Sequence, residues 1–226
     1  MKKPYIICHM MTSVDGRIDC AMTSQLSGVE DYYKTLAELN LPSTLSGRVT
    51  AETEMAEEGF FKVKNKTPLG KEEFAKNQTS SEYEIITDTD GKLMWQNIDD
   101  NKKPYLIITS EHVTKEYLDY LNHKNISCIA CGKDKINLKR AVEILYSEFD
   151  IKRLGIVGGP TINTAFLNAN LLDEISLLIG PGIDARQKMP SVFDGRKNDF
   201  PLTHLKLKDI KKFNSGAVWL RYNIEQ

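Results

Sequence analysis

The chain predicts an α/β fold on a mixed, mostly parallel sheet, and three observations lead there. Short apolar strands alternate with helical segments through its second half, a Gly-Gly pair joins a strand to a helix, and two late segments alternate apolar with polar residues. Successive strand–helix–strand crossovers make neighbouring strands parallel, whereas the alternating late segments read as an antiparallel closing pair. With 226 residues, 41% of them hydrophobic, the chain can bury one sizeable core and is expected to form a single domain over 1–226.

Residues 5–11 are apolar enough along their whole length to be a central strand covered on both sides. Ser27-Gly-Val-Glu30 has the form of a capping box and opens a helix to about Leu39, with Tyr32, Tyr33, Leu36 and Leu39 at helical spacing. Pro42 separates that helix from a short strand ending at Gly47, and another helix after Thr50 runs to about Gly59. The polar stretch 62–81 reads as an exposed loop that carries no chemistry. Residues 83–87, followed by the Asp90-Gly91 turn signal, and 105–109 are strands. A helix at 114–124, a strand at 127–130, a helix at 137–148 and a strand at 153–157 then build the crossovers. After the Gly-Gly helix come a strand at 174–179 and the closing pair at 205–207 and 218–222.

Thirty basic against 31 acidic residues give a formal net charge of −1, so no global field draws in nucleic acid or anionic lipid, and the expected partner is a small molecule. No apolar run is long enough to cross a bilayer, and Lys2-Lys3-Pro4 leads into a segment too short and too polar for a secretory signal, which places the protein in the cytoplasm. Cys128 and Cys131 have a redox or half-zinc spacing, but no second cysteine pair accompanies them and the four histidines are scattered, so no metal is expected.

The chemistry concentrates at helix starts. Gly158 and Gly159 lack Cβ atoms and let main-chain N–H groups approach phosphate oxygens, while the helix from Pro160 adds its positive end. Upstream, Gly47 allows close approach, Arg48 offers a planar fork to a phosphate monoester, and Thr50 donates to a further phosphate oxygen. Two anion sites imply an extended ligand, and NADP(H), a dinucleotide with an extra ribose phosphate, satisfies them better than a single phosphate does.

Three segments carry a resemblance: Met11-Thr-Ser-Val-Asp15-Gly16-Arg17-Ile18, then Gly47-Arg-Val-Thr50, then Gly158-Gly-Pro-Thr-Ile-Asn-x-Ala-Phe-Leu167 with Leu171-Leu-Asp-Glu-Ile175. In that order they resemble the dihydrofolate reductase-like fold, most closely the C-terminal reductase domain of riboflavin-biosynthesis deaminase-reductases. The resemblance implies an NADPH-dependent reductase, usually a homodimer, that turns a ribosylaminopyrimidinone phosphate into its ribitylamino form. It implies that Arg48 holds the 2′-phosphate, that Thr50 with the Gly158, Gly159 and Thr161 backbone holds the diphosphate, and that Ser13, Asp15 and Gly16 border the nicotinamide. It also implies Glu54 as an acidic residue near the reacting group, and a cis Gly158–Gly159 peptide.

The chain departs from that pattern in two places. Val157 stands where the family carries a glutamate before Gly-Gly, and Glu54-Met55-Ala56 replaces Asp-Asp-Pro. A pterin or dihydrofolate-type reductase and a non-catalytic NADPH-binding module are the alternatives. The His-x-Glu with Pro-Cys-x-x-Cys of zinc deaminases does not occur in the sequence.

Overall fold

The computed structural model describes residues 2–96, 103–196 and 200–225. Contacts divide the chain into two compact units, a central one of Met1–Pro4 with Pro42–Leu154 and a terminal one of Tyr5–Leu41 with Gly155–Gln226.

The terminal unit begins with β1 (Tyr5–Thr12), buried along seven of its eight residues, as its unbroken apolar run requires. A short helix α1 (Cys20–Thr23), too brief to leave a periodic signal, precedes α2 (Val29–Glu38). The capping box does not form. The N-cap of α2 is Gly28 in the left-handed region, φ 99°, with no side-chain cap, and a Cβ there would lie 2.9 Å from that of Ala217. Instead Asp31, in the first turn, accepts from Ser215 Oγ at 2.6 Å and from Lys34 at 3.0 Å.

The central unit runs from β2 (Ser43–Gly47) into α3 (Arg48–Glu54), which starts three residues earlier and ends sooner than its sequence suggests. Residues 57–59, expected to be helical, fall in β3 (Glu57–Phe60), because Met55 leaves helical dihedrals and the strand finds a partner further on. Inside the supposed loop lies β4 (Glu73–Ala75). Then follow β5 (Glu84–Thr87), β6 (Leu93–Met94), β7 (Tyr105–Thr109), α4 (Lys115–His123), β8 (Ser127–Ala130), α5 (Leu138–Ser147) and β9 (Arg153–Ile156). Both of these helices, α4 and α5, carry a side-chain N-cap, with Thr114 accepting from the Tyr117 N–H and Asn137 from the Arg140 N–H.

Strands β2, β5, β7 and β8 are successively parallel, β4 closes that edge antiparallel to β8, and β3 pairs separately with β6. The 62–81 stretch is tied down by its polar side chains. Asn77 Nδ2 donates to the Ile126 carbonyl at 2.7 Å, Gln78 Nε2 to that of Asn125 at 2.9 Å, and Lys76 to that of Glu148 at 3.0 Å. Ile86 and Ile107 from the sheet, Tyr117 and Leu121 from α4, and Trp95 form the core of this unit.

Back in the terminal unit, α6 (Pro160–Asn168) has Pro160 at its first position, and β10 (Glu174–Ile179) lies parallel to β1. The closing pair is β11 (Leu205–Lys212) and β12 (Val218–Ile224), antiparallel to each other, with β12 antiparallel to β10. A bulge at Lys208 interrupts β11 and lets its amine reach the buried carboxylate of Glu174 at 2.6 Å, beside Arg221. One face of this sheet packs Ile7, Leu178 and Trp219 with Leu36 and Leu39. The other is open. Leu207 opposes Tyr222 there and Ile210 opposes Leu220, and Leu205, Leu207 and Ile210 remain 41 to 60% exposed.

Candidate active site

In the terminal unit the first motif is a clasp between two loops at the carboxyl end of β1. Buried Ser13 donates to Asp15 Oδ1 at 2.6 Å and accepts from the Arg17 N–H at 3.1 Å. Asp15 also accepts the N–H groups of Asp184 and Ala185 at 3.0 and 2.9 Å. The Ser13 hydroxyl, followed by these two amides, holds its carboxyl well below the usual carboxylate range. Gly16, φ 79°, turns the chain, with nothing within 4 Å of where a Cβ would stand. Arg17 fastens the same loops by donating to the Met189 carbonyl at 2.6 Å.

The second motif follows β9. Gly158 has φ 126°, a region closed to other residues at ordinary cost, and the Gly158–Gly159 peptide is cis. Gly159 is the N-cap of α6 and no side chain caps that helix, so the turn offers main-chain donors to an incoming group. Thr161 lines a cavity of about 390 Å³ together with Thr164, Asn168 and Asp194. Asn163, one turn in, donates to the Val192 carbonyl at 2.8 Å and leaves its own buried oxygen without a partner.

Deeper in this unit His9 is fully buried, stacked on Tyr32 at 4.6 Å. Thr35 spends its proton on the Tyr32 carbonyl at 2.8 Å, so its oxygen accepts from His9 Nε2 at 3.2 Å. Ser176 Oγ accepts from Trp219 Nε1 at 2.7 Å, so its proton goes to His9 Nδ1 at 2.9 Å. Every ring nitrogen is satisfied in the neutral form, and burial pushes the imidazole down to about 4.

In the central unit Gly47 ends β2 and is the N-cap of α3, and Arg48 is the first helical residue. Its guanidinium donates to Glu52, one turn on. Half-buried Thr50 lies within the helix. Glu54 is exposed at the far end of α3, where its charge acts on half-buried Glu84. Gly47, Arg48 and Thr50 are therefore together at the carboxyl end of β2, while Glu54 is about 9 Å away along the helix.

Sequence reading passed over Asp88, immediately after β5 and buried. One of its oxygens accepts the Lys92 and Leu93 N–H groups at 2.7 and 2.8 Å, and the other has no partner. Burial raises its pKa, against the two amides, Tyr117 and the charge of Arg48. An aspartate closing an apolar strand just before Asp90-Gly91 was the available signal. Among the described residues no group of three His, Cys, Asp or Glu side chains could hold a metal ion, and no helix is long and apolar enough to cross a membrane.

Residues 4–219 match the family model described as the RibD C-terminal domain. A 2,5-diamino-6-ribosylamino-4(3H)-pyrimidinone 5′-phosphate reductase of Aquifex aeolicus is 25% identical over 215 residues, 92% of this chain and 91% of that protein. One of the same name from Archaeoglobus fulgidus is 23% identical over 98% of this chain and 99% of its own. Among solved structures, a pyrimidine reductase-like protein from Corynebacterium diphtheriae superposes with a TM-score of 0.72 at 20% identity, covering 99% of this chain and 92% of that one. The riboflavin biosynthesis reductase Rib7 of Saccharomyces cerevisiae does so with 0.60 at 16% identity, covering 99% and 90%. With a family model spanning nearly all of it, the chain belongs to the RibD C-terminal domain family of riboflavin-biosynthesis reductases and is an oxidoreductase of dihydrofolate reductase-like fold.

Proposed function

We propose that this protein reduces 2,5-diamino-6-ribosylamino-4(3H)-pyrimidinone 5′-phosphate with NADPH, in the cytoplasm and as a homodimer. The substrate is the one named for relatives that cover more than nine-tenths of the chain. One structural observation carries the cofactor half. At Gly158 a Cβ would meet only the end of Met10, 3.5 Å from Cε, and α6 begins without a side-chain cap, leaving a cradle of backbone donors that fits a diphosphate.

Gly158, Gly159 and Thr161 hold the diphosphate in this reading, with Thr50. Arg48, with Gly47 leaving room, takes the 2′-phosphate, and Ser13, Asp15 and Gly16 border the nicotinamide. When bound, the cofactor supplies the hydride. The chain's own contribution is to position, and holding reactants in near-attack geometry can account for roughly 7–11 kcal/mol of a barrier. Asp15 shapes its loop rather than giving up a proton, since a carboxyl held so low is ionised at neutral pH. Proton delivery falls to Glu54, Ser13 or water.

The test follows NADPH absorbance with the diamino compound, its deaminated uracil counterpart and dihydrofolate. Fastest turnover of the diamino compound is expected, and turnover of dihydrofolate alone would overturn the substrate. Arg48→Ala should weaken NADPH about 10- to 100-fold and NADH little, since a hydrogen bond to a charged group contributes roughly 1.5–3 kcal/mol. In the same assay Glu54→Gln should lower turnover about 100-fold without moving cofactor affinity; unchanged turnover would remove it from the reaction.

A further inference from the structure

The structure carries an inference about cofactor choice that rests on Arg48 facing the cofactor's ribose phosphate. The Arg48 guanidinium is already engaged: Nη1 donates to Glu52 Oε2 one turn along α3, and the two side chains are 36 and 40% exposed. Arginine and glutamate together are formally neutral, where a lone arginine would offer a net positive charge. The charge of Arg48 also acts on the buried carboxyl of Asp88. No cation is added by α3 itself, whose other polar residues are Thr50, Thr53 and Glu54, with Thr53 bonded to the Val49 carbonyl at 3.0 Å.

We propose that Glu52 is a specificity-determining residue that narrows the preference for the 2′-phosphorylated cofactor over the unphosphorylated one. A ribose phosphate brings a charge of about −1.5 to −2, competes with Glu52 for the same guanidinium and is repelled by the carboxylate it displaces. A ribose hydroxyl does neither, and its proton can be donated to Glu52, the role an acidic residue plays in dinucleotide sites that take NAD. Because the pair is exposed, it is weak and a phosphate can break it. Its effect is therefore on the ratio of the two affinities, and binding of the phosphorylated cofactor persists.

Calorimetric titration of wild type, Glu52→Gln and Arg48→Ala with adenosine 2′,5′-bisphosphate against AMP, and with NADPH against NADH, tests this without turnover. In Glu52→Gln the bisphosphate and NADPH should tighten about five-fold and AMP and NADH should stay level or weaken, a gain that shrinks with added salt. Both ligands of a pair report on the same folded fraction, so the ratio survives any loss of folded material. A ratio unmoved in Glu52→Gln but lowered in Arg48→Ala overturns the role of Glu52 alone. Ratios unmoved in both variants overturn the assignment of Arg48 as well.

Discussion

At the scale of single residues, His9 couples stability to pH. Its folded-state value of about 4 lies below the ordinary 6.5 because burial disfavours the imidazolium. Between those values the unfolded chain takes up a proton that the folded chain refuses. The full contribution is therefore present above about pH 6.5 and is lost as pH falls towards 4, amounting to roughly 3 kcal/mol. Urea unfolding midpoints should decline across that window in wild type and less steeply in His9→Gln; parallel declines would show that other groups set the slope. The sequence showed His9 only as an apolar-strand histidine without metal spacing. Its partners Thr35 and Ser176, and Trp219 bonded to Ser176, are distant in the chain, and no local pattern reveals such a cluster.

Individual elements were legible where hydrogen bonding and periodicity agree. Apolar β1, β7 and β8 and the capped helices α4 and α5 are where their sequences put them. The misread elements depend on distant partners. Strand β4 exists because β8 offers an edge, β3 because β6 pairs with it, and α2 starts at Gly28 because the neighbouring Ala217 leaves no room for a side chain. Polar composition at 62–81 suggested freedom, yet those side chains grip main-chain carbonyls. Asn77→Ala, which removes donors to Ile126 and Asn122, should cost about 1–3 kcal/mol and speed amide exchange in β4. Unchanged exchange there would mean that strand pairing alone holds the segment.

For the whole molecule, the strand-to-helix turns at Gly47 and Gly159 were readable because a glycine at a helix start has a local cause. The Asp15 clasp was only half visible, since its amide partners lie 169 and 170 residues further along the chain. Quaternary structure belongs to this scale too. The exposed edge around Leu205, Leu207 and Ile210, each 41 to 60% exposed, forms an apolar patch of the kind that is often functional on a monomer. A second copy covering it isologously would bury both faces at once. If the proposed homodimer forms through this edge, Leu207→Lys with Ile210→Lys should shift it to monomer in analytical ultracentrifugation while its circular dichroism is kept. A persistent dimer would place the interface elsewhere.

The Asp15 clasp has a consequence for motion. One carboxylate answers to the hydroxyl beside it and to two amides from the other end of the sequence, while Arg17 and the Val14 amide stitch the same two strips to Met189 and Gly182. Neither strip can then drift by itself: a shift in one drags the other along.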